Sequence, residues 1–283
     1  MTESIRALAI PGPRKAAVLG SPISHSRSPD LHAAAYLALG LVGWTYERIE
    51  CSAEELPGVV DGLDDIYVGL SVTMPGKLAA LAHAARATER SRLVGSANTL
   101  VRTADGWVAD CTDIDGMTGA LDELGVEAAT NPRAVVVGAG GTALPTVAAL
   151  VDSGFTSIRV VARDAGRAQP VLDLADRLGV VASVTGFAPT LELAGAVADS
   201  GVVVSTVPAT AAEPLIGALS AASHLVDVIY DPWPTPLAAA VSERGGGVVG
   251  GLVMLLNQAY RQVELFTGEP APRAAMADVV GVR

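Results

Sequence analysis

Cysteine, lysine and long apolar runs are all scarce in this chain of 283 residues, and each scarcity closes off a class of protein. Cys51 and Cys111 are its only cysteines, which gives neither a disulfide framework nor a Cys-x-x-Cys metal or redox spacing, so no metal is implied. Half of the residues are apolar, yet Gly, Pro or charge interrupts the apolar runs well before the ~18 residues needed to cross a bilayer. The residues up to Pro13 lack the basic start, apolar middle and small-residue cleavage site of a secretory signal, so the expected location is the cytoplasm. A formal net charge of -11 argues against nucleic acid and anionic membranes as partners. An anionic small molecule would therefore need a local cluster of basic groups. Of the 19 basic residues only Lys15 and Lys77 are lysine. A lysine amine can exchange its proton where a guanidinium does not, which singles out Lys77 if it lines a cleft.

Enough apolar surface is present to bury a substantial core, in two modest domains or one large one. Apolar runs bounded by turn residues alternate with segments of helical period, the pattern of a parallel sheet covered by helices. Strands are expected at 16–20, 44–50 and 68–72, with a helix opening at Ser28-Pro29 and reaching 39. A strand pair at 98–102 and 106–109 follows, turned at Ala104-Asp105. A second series has strands at 134–137, 158–162, 180–184, 202–205 and 225–229, the rhythm of a doubly wound nucleotide domain. A helix at 116–124 joins the two series, and a last helix at 252–266 carries polar Asn257, Gln258 and Gln262 and could return to the first domain. The expected fold is thus α/β, with a substrate domain at 1–115 completed by 252–283 and a Rossmann-type domain at 116–251.

Gly138-Ala139-Gly140-Gly141 lies between a strand and a segment that can be helical, the context in which backbone approaches a pyrophosphate met by a helix N-terminus. Ala143 replaces the third glycine of the usual pattern, and an ordinary Gly-rich turn is the structural alternative. The next strand ends in Arg163, where NAD enzymes place an acidic residue for the ribose hydroxyls. Arg163, with Arg167 one turn later, would grip a 2′-phosphate and favour NADP. Asp164 could instead pair with either arginine and leave both as surface charges.

Ser26-Arg27-Ser28 offers two hydroxyls and helix N–H groups to a carboxylate, or simply a helix cap. Ser71-Val72-Thr73-Met74-Pro75-Gly76-Lys77, Gly95-Ser96-Ala97-Asn98-Thr99 and Asp110-Cys111-Thr112-Asp113 each fall at a strand end or in the following loop, where Thr73, Lys77, Asn98 and Asp113 could converge on a ligand crevice. Singly, each has a structural explanation as a β-former, a helix start, a turn residue or a cap.

In this order, and with Gly251-Leu252-Val253-Met254-Leu255-Leu256-Asn257-Gln258 near the end, the motifs resemble the shikimate dehydrogenase family from Gly20 to about Gln258. The resemblance implies reversible NADP-dependent reduction of 3-dehydroshikimate to shikimate, in aromatic amino-acid biosynthesis, by a monomer or homodimer. It implies Lys77 and Asp113 as the catalytic pair, with Lys77 giving a proton to the oxygen that becomes an alkoxide. Ser26 and Ser28 would bind the substrate carboxylate, Ser71, Thr73, Asn98, Asp113 and Gln258 its hydroxyls, and Tyr230 would line the pocket. Gly138, Ala139, Gly140, Gly141, Arg163, Arg167, Gly251 and Met254 would meet the cofactor. Three positions depart from the family pattern: Ser71 and Cys111 each replace an Asn, and Ala162-Arg163-Asp164 replaces Asn-Arg-Thr. A quinate or dual quinate/shikimate dehydrogenase, and an NADP-binding regulatory protein with a degenerate site, remain the rival readings.

Overall fold

The computed structural model describes Ile5 and residues 12–282, and the chain separates into two compact units, 1–112 with 258–283, and 113–257. The first unit holds β1 (Lys15–Gly20), β2 (Thr45–Glu50), β3 (Tyr67–Val72), β4 (Arg86–Ala87), β5 (Thr99–Thr103) and β6 (Gly106–Asp110), in the order β2-β1-β3-β5-β6-β4. Neighbours pair in parallel except around β5, which runs against both β3 and β6. That reversal matters for function. The C-terminal ends of β1, β3 and β6 gather at one edge of the sheet, and the start of β5 joins them there, with the Val72 N–H donating to the Asn98 carbonyl at 2.7 Å. Asn98 was expected to open a strand; it lies just before β5 and reaches the same edge from the opposite direction.

The apolar faces of this sheet are covered on both sides. Leu19, Leu56, Leu70, Leu100 and Trp107 form one core, while Val68, Val101, Leu265 and Phe266 form the other. Phe266, on the helix Gly251–Thr267, packs against Gly69 of β3, where a Cβ would collide with its ring. Glycine inside a strand marks such a close approach.

The second unit holds β7 (Arg133–Val137), β8 (Ser157–Ala162), β9 (Val181–Gly186), β10 (Val202–Ser205), β11 (His224–Asp227) and β12 (Gly247–Gly250). All pairs are parallel and the order is β12-β11-β10-β7-β8-β9, the doubly wound arrangement of two mononucleotide halves. Strands buried on both faces read as runs of Val, as in Val135, Val137, Val161 and Val203. The strand expected to reach 229 stops at Asp227, whose buried carboxylate accepts from the Ile229 N–H at 3.2 Å and the Thr235 hydroxyl at 2.7 Å and so turns the chain away. β12 was not expected, because its two glycines weaken the local signal; the pairing with β11 supplies what propensity does not. No helix among the described residues is long and apolar enough to cross a membrane.

Candidate functional site

A buried polar cluster stands at the edge where β3, β5 and β6 meet. Two backbone groups fix its polarity. The Thr112 N–H can only donate, and it donates to Asn98 Oδ1 at 2.7 Å, so Asn98 Nδ2 faces the other way and donates to Gln258 Oε1 at 2.7 Å and to the Thr112 hydroxyl at 3.0 Å. The Asn98 carbonyl can only accept, and Gln262 Nε2 donates to it at 3.4 Å and to the Thr99 hydroxyl at 3.0 Å. Gln262 Oε1 therefore faces Ser71, whose hydroxyl donates to it at 2.8 Å, while the Tyr46 hydroxyl donates to Ser71 at 2.6 Å. Asn98 and Gln262 are each only 2% exposed, so these bonds act in a medium where an unmade one is costly.

His32 closes the far end of the cluster. Its ring stacks on Tyr46 with centroids 4.1 Å apart, and it is fully buried, which drives its pKa down to about 3 against a smaller opposing pull from Gln262. It is thus neutral, with Nε2 facing Gln262 Oε1 at 3.5 Å and Nδ1 facing the Tyr36 hydroxyl at 3.3 Å. Burial raises the Tyr46 phenol, and the Ser28 hydroxyl is a second partner of that phenol.

A helix cap was the structural alternative to carboxylate binding for Ser28, but Ser28 does not occupy the cap position. It lies instead inside the first turn of the helix Ser28–Ala38, after Arg27, and its own N–H donates to the Ser26 hydroxyl at 3.3 Å. Arg48 Nη2 donates to the Ser26 carbonyl at 2.6 Å and holds this turn from the neighbouring strand. Thr73 follows β3 directly, and its N–H donates to the Leu19 carbonyl at 2.8 Å, tying the loop to the end of β1. Lys77 opens the helix Lys77–His83 half-buried, with its carbonyl accepting from the Ala97 N–H at 3.2 Å just before Asn98. Gly76 leaves no room for a Cβ, which would lie 2.7 Å from a Leu56 methyl, so the chain carrying Lys77 is pressed onto the core. Asp113 opens the helix Asp113–Leu124, is 3% exposed, and follows Thr112 in the chain. Upstream, Asp110 is fixed by the Arg90 Nε at 2.7 Å and the Thr88 hydroxyl at 2.7 Å. Burial pushes that carboxyl up, but Arg90 and Thr88 outweigh it and hold it below its ordinary value.

In the second unit, a cleft of about 330 Å³ lies beyond the ends of β7, β8 and β10, lined by Gly138, Ala139, Gly140, Arg163, Asp164, Arg167, Phe187 and Thr206 among others. Gly138 has φ of +109°, and a Cβ there would meet the Thr206 hydroxyl at 2.5 Å. Gly140 has open space where its Cβ would be, so backbone is bare toward the cleft just before the helix Ala143–Asp152. Gly141 is not part of this lining. Asp164 resolves the ambiguity about its neighbours: its carboxylate accepts from the Gly166 N–H at 2.7 Å as the cap of the helix Ala165–Arg177. Neither Arg163 nor Arg167 makes an ion pair among the described residues; the Arg163 guanidinium rests 5.0 Å above the Phe187 ring. Two unpaired guanidinium groups over a Gly-rich strand-to-helix turn fit a dinucleotide with a phosphorylated ribose.

Tyr230 is half-buried in the stretch after β11, and Gly251 packs onto the backbone of that stretch, where a Cβ would overlap the Val228 carbonyl. Met254 lies buried one turn along the same helix. Reading the sequence alone missed Tyr46, Thr99, Thr112, His32 and Phe187, and placed Gln262 only as a polar residue on the last helix. Its spacing of four from Gln258 put both amides on one helix face and was the available signal.

Comparison with known proteins points the same way. Residues 18–100 match the family model for the shikimate dehydrogenase substrate binding domain, and residues 251–280 match that for the shikimate 5'-dehydrogenase C-terminal domain. The shikimate dehydrogenase (NADP(+)) of Microcystis aeruginosa is 33% identical over 273 residues, covering 93% of this chain and 94% of its own. The crystal structure of Mycobacterium tuberculosis shikimate dehydrogenase is 57% identical with a TM-score of 0.90, over 95% of this chain and 99% of that one. A Thermus thermophilus shikimate 5-dehydrogenase solved with NADP(H) and shikimate is 27% identical with a TM-score of 0.78, over 95% and 98%. With likeness of this extent in sequence and in fold, the chain belongs to the shikimate dehydrogenase family.

Proposed function

We propose that this protein reduces 3-dehydroshikimate reversibly to shikimate with NADPH, in the biosynthesis of aromatic amino acids. The observation that carries the reading is the edge where Asn98, Gln258 and Ser71 bring together oriented amides and a hydroxyl suited to a polyhydroxylated ring, in a chain of this family. Residues 1–115 with 252–283 bind the substrate and residues 116–251 bind NADP. Bound NADPH supplies the hydride and nothing else.

The chain supplies the rest. Lys77 Nζ gives a proton to the former carbonyl oxygen and, while charged, stabilises the negative charge developing on it. The Asp113 carboxylate orients Nζ and shares a ring hydroxyl. Ser26 and Ser28 receive the substrate carboxylate; Ser71, Thr73, Asn98 and Gln258 hold the hydroxyls, and Tyr230 lines the pocket. Gly138, Ala139, Gly140 and Gly141 receive the pyrophosphate, Arg163 and Arg167 the 2′-phosphate, and Gly251 and Met254 also meet the cofactor. The enzyme acts in the cytoplasm as a monomer or homodimer. The deciding experiment is NADPH oxidation, followed by absorbance, on adding 3-dehydroshikimate. No oxidation by protein that binds NADPH firmly would refute the reading.

A further inference from the structure

Ser71 carries one proton and two lone pairs, and its contacts leave little of that capacity for a ligand. The proton goes to Gln262 Oε1 and one lone pair takes the Tyr46 proton, so Ser71 can meet a ligand only as an acceptor. Gln258 is constrained in the opposite sense. Its Oε1 faces Asn98 Nδ2, so the group on the opposite side of the amide is its nitrogen, a donor. Both assignments trace back to backbone, to the Thr112 N–H and the Asn98 carbonyl, and Gln262 transmits the second of these to Ser71.

We propose that Gln262 is a positioning residue that sets the hydrogen-bond polarity of the substrate face, holding Ser71 as an acceptor toward one ring hydroxyl while Asn98 holds Gln258 as a donor toward another. The inference rests on the reading of this chain as a shikimate dehydrogenase and adds a residue that does not touch the substrate. Gln262 lies one helical turn beyond Gln258 and is buried, and its amide spans Ser71 on β3 and Thr99 on β5. A ring that offers a donor to Ser71 and an acceptor to Gln258 is matched in both places. Without the Gln262 amide, Ser71 is free to turn its own proton outward and Thr99 loses its donor, so the face no longer presents a single pattern. The expected consequence falls on substrate affinity rather than on the chemical step or the cofactor.

Gln262→Leu removes both halves of the amide at similar length. It should raise KM for shikimate, and Kd for shikimate by calorimetry, about tenfold, the scale of one buried hydrogen bond left unmade. Turnover should stay within about threefold and NADPH affinity, by fluorescence, should not change. Gln262→Glu is the second variant and carries the test if the Leu variant does not fold. A Glu carboxyl accepts the Ser71 proton whether neutral or ionised, so it keeps Ser71 as an acceptor toward the ligand. KM for shikimate in that variant should therefore stay within about threefold of wild type, a rescue that Leu cannot give. A shikimate KM that is unchanged in folded Leu variant, or that rises about tenfold in the Glu variant, would overturn the proposal. So would equal losses in turnover and in affinity for both ligands. Inactive wild-type protein would remove the functional reading beneath it, whereas active wild type with an unaltered Leu variant removes this inference alone.

Discussion

Arg163→Ala separates cofactor choice from everything else in the second unit. The guanidinium is exposed, unpaired and steadied against Phe187 at 5.0 Å, so removing it disturbs no core and breaks no described ion pair. A charge-assisted hydrogen bond to phosphate contributes about 1.5–3 kcal/mol when desolvated. At this exposed position solvent screening reduces that to about 1–2 kcal/mol, or a loss of about fivefold to thirtyfold. The assay is kcat/KM for NADPH and for NADH at a fixed, saturating concentration of 3-dehydroshikimate. The fall should appear with NADPH and leave NADH within about twofold, because only the former carries the 2′-phosphate. Raising the salt should shrink the wild-type preference, since exposed charges are screened over about 8–10 Å. Equal losses with both cofactors would show that Arg163 supports the fold of the cleft rather than recognising a phosphate, and the assignment of Arg163 and Arg167 to the 2′-phosphate would fail.

Other consequences can be checked as directly. Lys77→Ala should cut turnover about 100-fold or more with shikimate binding largely kept, and Lys77→Arg, which keeps charge without an exchangeable proton, should not restore it; full activity in the Arg variant would leave charge alone as the requirement. His32 has a folded pKa of about 3 against about 6.5 when unfolded, so unfolding takes up a proton in between. Its contribution is fully present above the unfolded value and is lost as pH falls toward the folded one, by up to about 1.4 kcal/mol per pH unit, so urea midpoints of His32→Gln should fall less steeply on acidification than wild type. Asp110, held below its ordinary value, contributes stability above that value which is lost as pH falls beneath it, and Asp110→Asn should flatten the acid limb there while lowering stability near neutrality.

Strand and helix positions were legible where apolar period and turn residues agreed, as in the Val-rich strands β7, β8 and β10 and the Gly-rich turn after β7. Legibility failed where tertiary contacts outvote local preference. β12 consists of two glycines around two valines and exists because β11 offers it a ladder, and the helix Arg273–Val280 follows a Pro-rich stretch without a capping side chain. Charge-bearing site residues stood out because their chemistry is rare in this composition, as with Lys77. Gln262 and Tyr46 did not, because an amide on a helix and a phenol on a strand look like any others until the backbone of Asn98 and Thr112 shows which way each must point.

The division of the first unit between the two ends of the chain bears on synthesis. Residues 1–112 leave the ribosome early, but Gly69 has no ring above it, Asn98 no Gln258 and Ser71 no Gln262 until the helix Gly251–Thr267 has been translated. During that interval the nascent sheet carries an uncovered apolar face and polar groups without their protein partners, so a ribosome stalled shortly before Gln258 should display a chaperone-binding intermediate, and release of the helix Gly251–Thr267 should act as the closing step of folding.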